Sequence, residues 1–185
     1  MARRLFGSDN PPGVALDPKT GKLRTTPGIC AGMTAVWCLK MSLGMAPENT
    51  QPGKTEALHL QYSYDGLATS MKGLLTEFLP MARLSFRDNI HKGKGRPTAA
   101  GVIATAADSA FFWGYPGHAI GAGKRGDVYY VFDPDRGLDE LNGKREFTRH
   151  LEDTYPRQLD LDDWLLIEVE PDARQIDLIR PPRTD

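Results

Sequence analysis

Apolar side chains recur at helical spacing from Cys30 to about Leu43, with Met33, Val36, Trp37, Cys38 and Met41 on successive turns. Gly44 and Pro47 then supply a stop, so the pattern predicts a helix that starts where a Pro27-Gly28 turn ends. Helix formers continue through 54–64 and 67–84 with a break at Asp65-Gly66, which predicts a helical pair. Residues 7–28 are rich in Gly, Pro, Asp and Thr without a sustained apolar period, and read as an extended or looped lead-in within 1–27 of the chain.

After Pro97 the texture changes. Phe111-Phe112-Trp113, His118 to Ala122, Val128 to Phe132 and Trp164 to Val169 are short aromatic or β-branched runs, the signature of strands. Arg145 to Tyr155 predicts one short helix ended by Pro156, and 171–185 reads as a loosely held tail. The segment 91–97 mixes charge with glycine and proline, which predicts a solvated loop; its sharper reading is contact with an acidic partner. Helices first and an antiparallel sheet second, with few βαβ units, predict an α+β fold built as one domain over 1–185.

Composition narrows the function. Lys and Arg number 23 against 24 Asp and Glu, so no global positive field draws the chain to nucleic acid. The small-apolar run Ala99 to Ala107 is about half the ~20 residues a helix needs to span a bilayer. Arg3 and Arg4 are not followed by an apolar stretch, which argues against a cleaved secretory signal. Cys30 and Cys38 are the only cysteines, and eight positions of one helix separate them by about 12 Å along its axis, beyond disulfide reach. Two thiols do not complete a structural zinc site, and no phosphate loop, HExxH or EF-hand pattern occurs, so no cofactor or metal is expected.

One cysteine, one histidine and one carboxylate stand in an order that thiol chemistry uses: Cys30 in Gly28-Ile29-Cys30-Ala31-Gly32-Met33-Thr34, His118 in Gly117-His118-Ala119, and Asp133 in Phe132-Asp133-Pro134. A helix tip and an adjacent imidazolium both favour a thiolate. Cys38, inside the helix, reads as a core residue. A turn at Arg125-Gly126 closed by Lys124 and Asp127 would set His118 opposite Asp133, with Cβ atoms about 4.5–5.5 Å apart. A loop longer by an even number of residues keeps both on that face, shared by Ile120, Ala122, Tyr129 and Val131. His59, His91 and His150 have no carboxylate so placed and read as surface or helix-packing residues.

These blocks resemble the YopT/AvrPphB-type papain-fold cysteine proteases of bacteria. The match is Gly28-Ile29-Cys30-x-Gly32-Met33-Thr34-x-x-Trp37, Gly117-His118-Ala119, and Tyr130-x-Phe132-Asp133-Pro134-Asp135-x-Gly137. The resemblance implies a papain-like fold with a cleft between the Cys30 helix and a sheet carrying His118 and Asp133. It implies a thiol peptidase with Cys30 as nucleophile, His118 as base and Asp133 orienting it, and a toxin or effector that is secreted without a cleaved signal peptide. Such a protein acts on a protein substrate in the cytoplasm of a target cell, and effector biology adds a cognate immunity protein as a possible partner. Gly32 and Trp37 map to packing positions beside the nucleophile. The family's usual oxyanion donor before the cysteine is replaced here by Arg24-Thr25-Thr26-Pro27, so the donors on offer are the Cys30 backbone N–H with Thr26 or Thr25, or Asn10 folding in from upstream. Two rival readings keep the scaffold: a glutamine deamidase or acyltransferase with the same three residues, and a non-catalytic binding module.

Overall fold

The computed structural model describes residues 2–16, 22–93, 96–155 and 164–176. Strand β1 (Arg3–Gly7) comes first, then a ribbon of β2 (Gly13–Leu16) and β3 (Leu23–Thr26). Helix α1 (Cys30–Ser42) follows, then α2 (Lys54–Leu67) and a third helical stretch, α3, over 71–81 whose middle, Leu74–Phe78, is wound into wider turns. Strand β4 (Leu84–Gly93) and helix α4 (Arg96–Thr105) lead to β5 (Ser109–Tyr115), β6 (His118–Arg125), β7 (Val128–Asp133) and β8 (Gly137–Asn142). Helix α5 (Lys144–Thr154) and strand β9 (Trp164–Pro171) complete the fold, followed by one helical turn, Ala173–Ile176.

Seven strands form one antiparallel sheet in the order β1-β8-β7-β6-β5-β9-β4. The architecture is α+β, with the N-terminal helices packed on this sheet. Alternation along the central strands builds two cores. Phe112, Tyr130 and Phe132 face α1, α2 and α3, while Phe111, Trp113, Ile120 and Val131 face Phe147 and Leu151 of α5 and the alanines of α4. Each fully buried side chain of this size contributes roughly 1.5–3 kcal/mol relative to exposure.

The sheet holds α1 close because two of its strand positions are glycine. A Cβ on Gly121 would lie 2.3 Å from the Trp37 ring, so Trp37 lies flat on the strand and stacks on Phe132 at 5.7 Å with an interplanar angle of 12°. On the other side of α1, a Cβ on Gly32 would lie 1.9 Å from the Ala57 carbonyl oxygen, so α2 approaches at backbone contact. Gly32 and Trp37 are packing residues that fix where the helix tip sits.

Three parts differ from the sequence reading. The lead-in, expected as extended or looped, contains strands: β1 pairs with the distant β8, carries an Arg4–Asp139 ion pair and packs Phe6 on Phe132, while β2 pairs with β3. Residues expected as the end of a helix and a polar loop form β4, an edge strand whose Arg87 and Asn89 hold the buried Glu168 carboxylate of β9. Of the expected 91–97 loop, 91–93 belong to β4, 96 and 97 to α4, and 94 and 95 lie outside the described residues. The helical break falls after Leu67 and the third helix ends at Met81, short of 84. The expected tail lies outside the described residues from 177 onward. Among the described residues no helix is long and apolar enough to cross a membrane.

Candidate active site

An α-helix leaves its first N–H groups without partners inside the helix. Helix α1 opens at Cys30 with no side-chain cap from Ile29 and no acidic residue in its first turn, so its partners come from elsewhere in the chain. The Ile29 N–H donates to Asn10 Oδ1, and the Ala31 and Gly32 N–H groups donate to Gln61 Oε1 at 2.9 and 3.2 Å. Gln61 is buried on α2, and its Nε2 donates to Asp65 Oδ1 at 2.8 Å. The Cys30 N–H, between these claimed groups, has no acceptor among the described residues. Beside it the Cys30 thiol is half-exposed at the cavity wall.

His118 opens β6 and Asp133 closes β7, so both stand at the end of the sheet that lies below the tip of α1. The turn between these strands is Gly126-Asp127, with Gly126 at φ +56°, and Arg125 pairs with Val128. Lys124 therefore pairs with Tyr129 rather than Asp127, an offset of two residues from the expected register. The positive φ that glycine accepts sets the turn one place later than expected. Because the offset is even, His118 and Asp133 keep a common face and meet diagonally, with His118 Nε2 donating to Asp133 Oδ1 at 3.0 Å. The carboxylate accepts only, so the imidazole proton on Nε2 is fixed by its partner.

Asp133 is buried and fully engaged. Its Oδ1 also accepts the Asp135 N–H at 2.9 Å, and its Oδ2 accepts the Tyr155 hydroxyl at 3.0 Å. Burial alone would raise this carboxyl, but the His118, Asp135 and Tyr155 hydrogen bonds outweigh it and hold its pKa below the usual carboxylate value. For His118, burial disfavours the imidazolium. Hydrogen bonds to Asp133 and to the Cys30 thiol, with the charges of both, overcome that cost and push its pKa up to about 10. Tyr155 is buried beside Asp133, which keeps its phenol protonated as a donor. His118, Asp133 and Asp135 also fall within the span of a cation site, with one ligand atom each inside 4.8 Å. Asp133's oxygens are already taken by three donors, which organises the cluster for proton handling.

A cavity of about 870 Å³ opens over these groups between α1, α2 and the sheet end, lined among others by Asn10, Cys30, Gln61, Tyr115, His118 and Tyr155. The Asn10 carboxamide lies against the backbone of Gly28, where a Cβ would meet Nδ2 at 2.6 Å. With Oδ1 bound to the Ile29 N–H, its Nδ2 is available to the cavity. Thr26 lines the cavity but spends its hydroxyl proton on the Gly28 carbonyl at 2.7 Å, and Thr25 is exposed and not among the lining residues. The β2–β3 ribbon returns the chain to its own start, which brings Asn10, the upstream alternative to Thr25 and Thr26, to the helix tip. Cys38 is buried with its S–H toward the Phe111 carbonyl oxygen, and burial pushes its thiol well up, as suits a core residue. His59 lies on α2, His91 in β4 and His150 on α5, the last with Nε2 3.5 Å from Asp139.

Sequence reasoning missed the roles of Gln61, Asp65 and Tyr155 around the site. Gly28 and Gly32, which flank Cys30, are the signal that other groups approach the backbone there.

No protein-family model matches this sequence, and no curated protein matches it. Solved structures do. The Pseudomonas avirulence protein AvrPphB superposes with a TM-score of 0.60 at 17% identity, covering 77% of this chain and 91% of that one. PatoxP, a cysteine protease-like domain of the Photorhabdus asymbiotica toxin PaTox, superposes with a TM-score of 0.53 at 10% identity, covering 89% of this chain and 53% of that one. With a helix-tip cysteine over a sheet-borne histidine, and these two neighbours in the same arrangement of helices and sheet, the chain has the YopT/AvrPphB-type fold.

Proposed function

We propose that this chain is a thiol peptidase acting as a bacterial toxin or effector, and that Cys30, His118 and Asp133 are its catalytic residues. The observation that carries the reading is the His118–Asp133 hydrogen bond at 3.0 Å, at the wall of a cavity that the Cys30 thiol also lines. The Cys30 sulfur, as thiolate, attacks the scissile carbonyl carbon. The tetrahedral oxyanion sits between the Cys30 N–H and Asn10 Nδ2. The C–N bond breaks as His118 gives its Nδ1 proton to the leaving amine, and a thioester remains on Cys30. Water, losing its proton to His118, then hydrolyses the thioester and restores the thiolate–imidazolium pair. Asp133 keeps the Nε2 proton in place throughout. The chemistry needs no cofactor.

The fold neighbours include a Pseudomonas avirulence protein and a toxin domain, which supports delivery into a target cell and a protein substrate there. The test is expression of the native chain beside Cys30→Ala in one cytoplasm, with growth and new protein termini as readouts. Peptidase action gives new termini with the native chain alone. A mass gain of about one dalton on an intact target identifies glutamine deamidation instead, and equal effects of both chains identify a binding module and overturn the reading.

A further inference from the structure

We propose that Gln61 and Asp65 form a positioning clamp for the nucleophile, an inference that rests on the thiol-peptidase reading above. Their geometry leaves one donor free at the helix tip. Gln61 Oε1 takes the Ala31 and Gly32 N–H groups and Asn10 Oδ1 takes that of Ile29, so only the Cys30 N–H faces the cavity without a partner among the described residues. Asp65 decides which way the Gln61 amide points. A carboxylate only accepts, so Nε2 must face Asp65 and Oε1 must face the helix. A flipped amide would set N–H against N–H at the helix and oxygen against oxygen at Asp65. The backbone contact at Gly32 brings α2 within reach for this bond, and Asp65 stays one neutral amide removed from the helix tip.

The clamp suits a thiolate. An acidic cap of the usual kind would satisfy the same N–H groups but place a second negative charge beside the sulfur, where it would disfavour the thiolate. A neutral amide caps without that charge. The other charged or titratable groups facing Cys30 are Tyr64 of α2, Tyr115 of β5, His118 of β6, Asp133, Asp135 and Arg136 at the end of β7, and Tyr155 after α5.

The experiment is the pH dependence of Cys30 alkylation by iodoacetamide in the native chain, Gln61→Met and Gln61→Glu, each checked for native circular dichroism. Gln61→Met keeps the volume and loses the acceptor; the released helix tip no longer holds the thiol beside His118, and its alkylation at pH 6 falls about tenfold. Gln61→Glu offers oxygens to the same two N–H groups while sharing a proton with Asp65. Its alkylation rises at low pH and then falls as the shared proton leaves and charge accumulates beside the sulfur, where the native rate rises to a plateau. A merely structural glutamine gives variants with a lower melting temperature and the native pH profile, which overturns the clamp. Should Gln61→Met not fold, the shape of the Gln61→Glu profile decides. An ordinary thiol profile in the native chain overturns the triad and the clamp together, whereas a reactive native thiol with an unmoved Gln61→Glu profile overturns the clamp alone.

Discussion

The buried hydroxyl of Tyr155 donates to Asp133 Oδ2 at 3.0 Å, on the oxygen that His118 does not use. A hydrogen bond to a charged group is worth about 1.5–3 kcal/mol, so Tyr155→Phe lowers stability by that order. It also removes one of the contacts that hold the Asp133 carboxyl low, so the acid limb of Cys30 alkylation moves to higher pH. Thermal unfolding and the alkylation profile of the same variant check both.

The His118–Asp133 pair gives stability a pH window. The pKa of His118 is raised to about 10 in the fold, above the ~6.5 of a free imidazole. Its contribution is fully present below the unfolded value and is lost as pH rises through about 10. Asp133 is held low by the same contact, so that stabilisation is present above the ordinary carboxylate value, ~3.9, and is lost as pH falls through the folded one. Melting temperature therefore declines from near-neutral pH toward pH 10, and His118→Gln flattens that decline.

Asn10 separates folding from chemistry through one substitution. Asn10→Asp keeps an oxygen for the Ile29 N–H but has no N–H to give an oxyanion. It folds with a native melting profile, and turnover of any cleaved substrate falls about 10²–10³-fold or more, because the new carboxylate removes one oxyanion donor and sets a negative charge beside the thiolate. Asn10→Ala loses turnover to a similar extent and melts earlier as well.

Close backbone approach places α1, so methyl groups at two glycines displace it. Gly32→Ala meets the Ala57 carbonyl and Gly121→Ala meets the Trp37 ring. Each costs about 1–3 kcal/mol by overpacking, which for a chain of this size is a drop of roughly 2–4 °C per kcal/mol. Gly101→Ala, where a Cβ meets open space, serves as the control and leaves the melting temperature unchanged or raised.

How much of this was legible follows from what holds each part. Strands β5, β6, β7 and β9 announced themselves because aromatic and β-branched residues fill both faces. Strands β1, β4 and β8 did not. They carry Arg4, Arg87 and Asp139, whose ion pairs reach partners 81 to 135 positions away in the chain, and no local window contains such a partner. Cys30, His118 and Asp133 were readable because their residue types are rare and their order is chemically meaningful. Asn10 was readable only as one upstream option and Gln61 not at all, because both are ordinary polar residues that reach the helix tip across 19 and 30 positions. The two flanking glycines registered a close approach without saying what approached.

The sheet order has a bearing on how the chain is made. Strand β1 pairs with β8, and the Cys30 sulfur waits for an imidazole and a carboxylate that are synthesised about a hundred residues later. A ribosome-bound fragment that has exposed α1 and α2 has a capped helix tip but no proton partner, so on the peptidase reading reactivity arrives late in synthesis, when the distant strands zip together. On the same reading, a cell making this protein is spared a partly folded chain that already cuts.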